Sequence, residues 1–197
     1  KRRRFFTSFG IWGAVLLLAL GIGMAVGQPV NWNFNPTTFF LLLLISIFLI
    51  PIQTTAEELM FRGFLMQTFG KIFKNGWVPV LISGILFGFL HWANPEVALI
   101  GNILLLYYIG TGVFLGLLTV WDDGMELPMG YHAINNIFAS VILTNDWQAF
   151  HTDALFIDRS GPFFGWESWL TIIVLQPLLL ILFARMYKWK NMKSKLF

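Results

Sequence analysis

Three sets of polar side chains interrupt otherwise apolar stretches of this sequence, and their types suit proton transfer and the stabilisation of developing negative charge. The first is Ala56-Glu57-Glu58-Leu59-Met60-Phe61-Arg62-Gly63, directly behind the apolar run Phe39-Phe40-Leu41-Leu42-Leu43-Leu44-Ile45-Ser46-Ile47-Phe48-Leu49-Ile50. On a helix Glu58 and Arg62 share a face and can pair, whereas Glu57 points about 100° away from Glu58. A carboxylate at or inside the bilayer boundary costs about 2.5–3.5 kcal/mol on insertion scales, so Glu57, left over by that pairing, is a functional-site candidate. The second set lies in Ser83-Gly84-Ile85-Leu86-Phe87-Gly88-Phe89-Leu90-His91, where His91 shares a face with two glycines that let another helix approach closely. The third is Gly130-Tyr131-His132-Ala133-Ile134-Asn135-Asn136, with His132 and Asn136 on one helix face. A neutral imidazole accepts or donates a proton near physiological pH, and an amide donates a hydrogen bond to an oxyanion. Taken singly, each set also has a structural reading: a helix-bridging histidine, interhelical glue, or a structural ion pair. The third histidine, His151, falls in a long loop and is expected to be solvated.

The elements that carry these groups must be membrane helices. The 197 residues are 57% hydrophobic and 12% charged, with a mean hydropathy of +0.71, where a soluble domain carries about 25% charged residues. A single integral membrane domain, residues 1–197, is expected. The net charge of +3 gives no reason to invoke nucleic acid, because the basic residues have a use in setting topology. The absence of Cys excludes disulfides, thiolate zinc sites and cysteine nucleophiles.

Six transmembrane helices are predicted. Lys1-Arg2-Arg3-Arg4 followed by an apolar stretch to Val26 is read as a retained first helix, the alternative being a signal peptide with small residues at Ala25-Val26-Gly27. A polar connector over 28–38 leads to a second helix over about 38–69, which Pro51 could kink. Further helices are expected over about 78–92, 98–120, 129–143 and 168–187, the last containing Pro177. Of 13 basic residues, this arrangement puts eleven on one side and Arg159 on the other, so both termini are expected to be cytoplasmic, at the plasma membrane. The connector over 144–167, with Trp147, Phe150, Phe156, Phe163, Phe164 and Trp166, is the one long loop; it is expected at the lipid headgroups or on a membrane-protein partner. One geometric difficulty follows: His91 lies about 20 Å along its helix from Trp77, but His132 only about 6–8 Å from the turn at Pro128. The two meet only if helices start at unequal depths, tilt, or enter a buried cavity.

In order along successive hydrophobic helices, Glu57-Glu58-x-x-x-Arg62, Phe87-x-x-x-His91 and His132-x-x-x-Asn136 resemble the three motifs of the CAAX-processing and bacteriocin-processing (CPBP) family of intramembrane proteases, which includes the type II CAAX prenyl endopeptidases. The resemblance covers about residues 38–143, with no departure at a motif position. It implies that Glu57 is the general base activating water, assisted by His91, that His132 and Asn136 stabilise the oxyanion, and that Glu58 and Arg62 support the site. The implied substrates are prenylated C-terminal tails or bacteriocin-like peptides. Zinc is the chemical rival: Glu57, His91 and His132 form a His-His-carboxylate ligand set, although the sequence has no His-Glu-x-x-His arrangement. Metal-free catalysis is the reading adopted. A catalytically silent scaffold subunit docking through the aromatic loop is the alternative from another class. A transporter or channel fits less well, because there are no paired broken helices and no internal repeat.

Overall fold

The computed structural model describes residues 1–196 and is all-α apart from one small sheet. Among the described residues, four helices have the length and composition to cross a membrane: α1 (Arg2–Ala25), α2 (Pro36–Phe73), α5 (Leu104–Asp122) and α7 (Trp166–Tyr187). Between them lie α3 (Trp77–Leu90), α4 (Pro95–Ile100) and α6 (Glu126–Ile137). Three helices contain or end in π-helical turns, over Leu59–Leu65 in α2, Phe138–Ile142 after α6 and Thr171–Leu175 in α7. The membrane-facing chemistry is visible on α2, which leaves Phe40, Leu41, Leu44, Ile45, Phe48 and Leu49 exposed; lipid is the solvent for such a surface. The protein is therefore an integral membrane protein.

Of the six expected spans, the two that carry His91 and His132 are short. Helix α3 has 14 residues, about 21 Å at 1.5 Å per residue against a hydrocarbon core of about 30 Å. Helix α6 has 12 residues before its π turn. The expected helix over 98–120 is broken, because Gly101 adopts φ +97°, a conformation that L side chains rarely take, and separates α4 from α5.

The chain divides into two compact units, each assembled from two stretches. The first comprises Lys1–Ala56 and Met129–Pro162. In it α1 packs on α6: Trp12 stacks on Tyr131 with ring centroids 4.6 Å apart, and Gly130 lies against the Phe5 carbonyl, which a Cβ would strike. The expected connector over 28–38 and the first part of the expected loop over 144–167 are in fact joined in a three-stranded sheet. Strand β3 (Phe156–Asp158) pairs antiparallel with β1 (Val30–Trp32) and parallel with β2 (Leu143–Asn145). Trp147 donates to the Ser160 carbonyl, and Asn145 accepts from the Trp147 and Gln148 amides. Backbone groups near a membrane must find partners inside the protein, and here the two connectors satisfy each other.

The second unit comprises Glu57–Pro128 and the chain from Phe163 onward. Its centre is the contact between α3 and α5. At Gly84 a Cβ would come within 2.8 Å of the Val113 nitrogen, and at Gly88 within 2.9 Å of the Ile109 nitrogen, so the two helices meet backbone to backbone. The glycine face read from the sequence is thus the face that α5 occupies. A second cluster joins Met66, Val80, Leu117 and Leu196. The C-terminal segment is clasped there: the Leu196 carbonyl accepts from the Gly76 and Trp77 amides, Lys195 pairs with Asp123, and Trp189 donates to Asp122.

Candidate active site

Glu58 and Arg62 form a fully buried pair, Nη1 to Oε1 at 3.0 Å with both side chains at 0% exposure. The other arm of the fork, Nη2, donates to the Gly112 carbonyl on α5 at 2.9 Å. The guanidinium lies over the Phe87 ring, 4.7 Å from its centroid. Arg62 thus ties the first motif to α5 and to the second motif, a use that a planar fork with a flat face can serve and an ammonium cannot. Arg62 lies in the π turn of α2, a helix variant that recurs at functional sites. Glu57 is half-buried on the preceding turn and interacts electrostatically with Arg62.

Helices α2 and α3 are joined by the short turn after Phe73 and run back along each other. Phe61 meets Phe87 edge to face at 5.4 Å, and Ser83 Oγ donates to the Phe61 carbonyl. Glu57 precedes Phe61 by four residues and His91 follows Phe87 by four, both on the side away from the turn.

His91 is the C-cap of α3, and its Nδ1 lies 2.9 Å from the Phe87 carbonyl. A carbonyl only accepts, so Nδ1 carries the hydrogen of the neutral ring and Nε2 is the basic nitrogen. The second-motif phenylalanine thus sets the tautomer of the second-motif histidine. The imidazole also stacks on Tyr108 of α5, with ring centroids 4.2 Å apart and planes 19° from parallel. The Tyr108 hydroxyl donates to Glu96 Oε1 at 2.6 Å, and Asn94 Nδ2 donates to the same oxygen at 3.0 Å.

His132 and Asn136 belong to the first unit, on α6, with His132 buried and Asn136 half-buried. Trp12 of α1 donates its indole N–H to Asn135 Oδ1 at 3.2 Å, and Asn135 Nδ2 donates to Asn136 Oδ1 at 3.5 Å. Since an indole can only donate, it orients the amide of Asn135, which in turn leaves the amide nitrogen of Asn136 as the donor end. The structure therefore gathers Glu57, Glu58, Arg62 and His91 in one unit and His132 with Asn136 in the other. Among the described residues no three of His, Cys, Asp and Glu are grouped as metal holders. His151 is exposed, 3.5 Å from Asp146, as expected of a solvated loop histidine.

Sequence reasoning missed Tyr108, Glu96, Asn94, Trp12 and Asn135. A signal existed for Glu96 alone, as an acid in an apolar neighbourhood; the others are ordinary residue types, and the contacts of Tyr108 with His91 and of Trp12 with Asn135 join residues distant in sequence.

Comparison with known proteins agrees with these motifs. Residues 35–138, more than half of the chain, match the family described as type II CAAX prenyl endopeptidase Rce1-like. The uncharacterized protein YyaK of Bacillus subtilis is 38% identical over 186 residues, covering 92% of this chain. The chain spans 60% of the length of YyaK. No solved structure matches it. All three motifs fall inside the matched segment, and the chain belongs to the Rce1-like family of type II CAAX prenyl endopeptidases.

Proposed function

We propose that this protein is an intramembrane endopeptidase that hydrolyses a peptide bond in a membrane-associated peptide or protein. Glu57 takes a proton from water, the hydroxide adds to the scissile carbonyl carbon, and the C–N bond breaks as the proton passes to the leaving nitrogen. His91, with Nδ1 held by the Phe87 carbonyl, assists through Nε2. His132 and Asn136 donate to the oxyanion of the tetrahedral intermediate. Glu58 and Arg62 hold the helix turn that presents Glu57. The observation that carries this reading is the buried lock of Arg62 on Glu58, Gly112 and Phe87, which fixes the turn next to Glu57 to the helix that carries His91. Such rigidity is what a preorganised base requires.

No step needs a metal, and no compact His-Glu-x-x-His arrangement is present to hold one. A zinc-dependent variant of the same chemistry would use Glu57, His91 and His132 as ligands; turnover that chelation abolishes and zinc restores would select it. Prenylated C-terminal tails are the substrate class nearest the family's description, with bacteriocin-like peptides as the other.

The deciding experiment compares wild type with Glu57→Gln in cleavage of an internally quenched peptide bearing a farnesylated Cys, and of membrane peptides without it. The amide keeps the shape of the side chain and removes its basicity, so turnover should fall about 10²–10⁴-fold at normal abundance. A Glu57→Gln protein that matches wild type in every assigned cellular function would replace the protease with the scaffold reading.

A further inference from the structure

We propose that Tyr108, braced by Glu96 and Asn94, is a positioning residue that fixes the ring plane of His91. This deepens the hydrolytic reading of His91 and rests on it. His91 is half-buried at the end of α3, where the helical ladder stops, so the helix alone does not immobilise its side chain. The hydrogen bond from Nδ1 to the Phe87 carbonyl fixes one ring atom, and the Phe87 ring meets the imidazole at a tilt of 52° with its centroid 4.9 Å away. The near-parallel face of Tyr108, 4.2 Å away, sets the plane in which the ring lies. The hydrogen bond and the stack together hold the ring plane and with it the direction of Nε2.

Tyr108 is in turn held at its far end. Its hydroxyl donates to Glu96 Oε1 at 2.6 Å, a distance characteristic of a bond to a carboxylate, and Asn94 donates to the same oxygen. Glu96 is 6% exposed. A buried carboxylate is costly unless it is hydrogen-bonded, and the hydrolytic mechanism assigns this one no task. Bracing the ring behind His91 accounts for its presence. The brace also spans the break at Gly101: Asn94 and Glu96 lie before it, Tyr108 after it. The three residues thus close the connector between α3 and α5 over the base of His91.

The test uses the full chain in detergent micelles with the farnesylated quenched peptide, and reads kcat, KM and the histidine ring resonances. Tyr108→Leu should lower kcat about 10²-fold, the cost of a misplacement near 1 Å, with KM little changed. Tyr108→Phe keeps the stack but loses the hydroxyl that Glu96 braces, so its kcat should fall clearly less than that of Tyr108→Leu, and Glu96→Gln, which keeps the acceptor, should recover most of a Glu96→Leu loss. The His91 ring protons, assigned by comparison with His91→Ala, should resonate at similar ring-current-displaced positions in wild type and Tyr108→Phe and move away from them in Tyr108→Leu, which keeps the Phe87 ring but loses the stack. This arm needs no substrate and decides the stack by itself. Undisplaced resonances in wild type, an unchanged kcat in Tyr108→Leu, or equal losses in the Phe and Leu variants would overturn the assignment. If Tyr108→Leu does not accumulate, Tyr108→Met, apolar and without a ring, stands in for it under the same criteria. Full activity of His91→Ala would overturn the hydrolytic reading together with this one, whereas His91-dependent turnover indifferent to Tyr108→Leu would overturn this one alone.

Discussion

Glu57 and Glu58 show how differently two neighbouring glutamates can behave. Glu58→Gln leaves the guanidinium of Arg62 in a fully buried place without its counter-charge, and breaking a buried pair from one side costs about 3–5 kcal/mol. The expected outcome is poor accumulation, measured as folded protein after extraction, with lost cleavage secondary to it. Removing both charges together, as in a Glu58→Met and Arg62→Leu double variant, should be less harmful than either single change, because apolar replacement of a buried pair is often neutral. Glu57→Gln should leave abundance unchanged. For His132→Ala and Asn136→Ala the expectation is a fall in kcat with KM held, the pattern of groups that act only in the transition state. Asn135→Leu should reproduce part of the Asn136 defect, since the bond from Asn135 sets which end of that amide donates.

The helix contacts carry predictions of their own. Gly84→Leu and Gly88→Val each drive a side chain into the backbone of α5, which already lies within van der Waals range of the glycines. Both should lower the thermal midpoint in detergent and abolish cleavage, Arg62 notwithstanding. Gly101→Ala should cost about 1–3 kcal/mol through backbone strain alone, since nothing lies near the missing Cβ. The aromatic segment after α6 separates into two kinds of residue. Trp147 is half-buried and hydrogen-bonded to Ser160, so Trp147→Ser should loosen the sheet, seen as faster proteolysis within 144–162. Phe163 and Trp166 are exposed. Their replacement by Ser should leave the fold intact and impair binding to lipid or to a partner; copurification and vesicle flotation tell the two apart.

Orientation in the bilayer concerns the whole chain. Segregating eleven of the thirteen basic residues proposes that both termini, Lys71 and Lys74 are cytoplasmic and Arg159 is outside. Arg159 is exposed and pairs with Asp146, an interaction worth at most about 1 kcal/mol at a surface, so Arg159→Cys is a mild probe in a chain without cysteine. It should react with an impermeant maleimide in intact cells. Labelling only after the cell is opened would refute the arrangement.

Much of this protein is legible without coordinates. Hydropathy marks the long helices because a membrane helix must be apolar over its whole length. The spacing of Glu58 with Arg62, and of Gly84 and Gly88 with His91, is local geometry that a helix converts directly into shared faces. The pairing of Glu58 with Arg62 and the close approach on the glycine face follow from such short-range periodicity, and the family from the resemblance of the three motifs taken in order. What was hidden depends on contacts between distant residues. The sheet joins strands of three residues each, too short for an alternating pattern, with Val30 opposite Asp158. The break at Gly101 turns on a φ that no neighbouring residue announces. Tyr108 and Trp12 look like ordinary apolar-helix aromatics until the fold sets one against His91 and the other against Asn135. A helical period says which residues share a face; only packing decides what that face meets, because the partner is chosen by the close approach of backbones far apart along the chain.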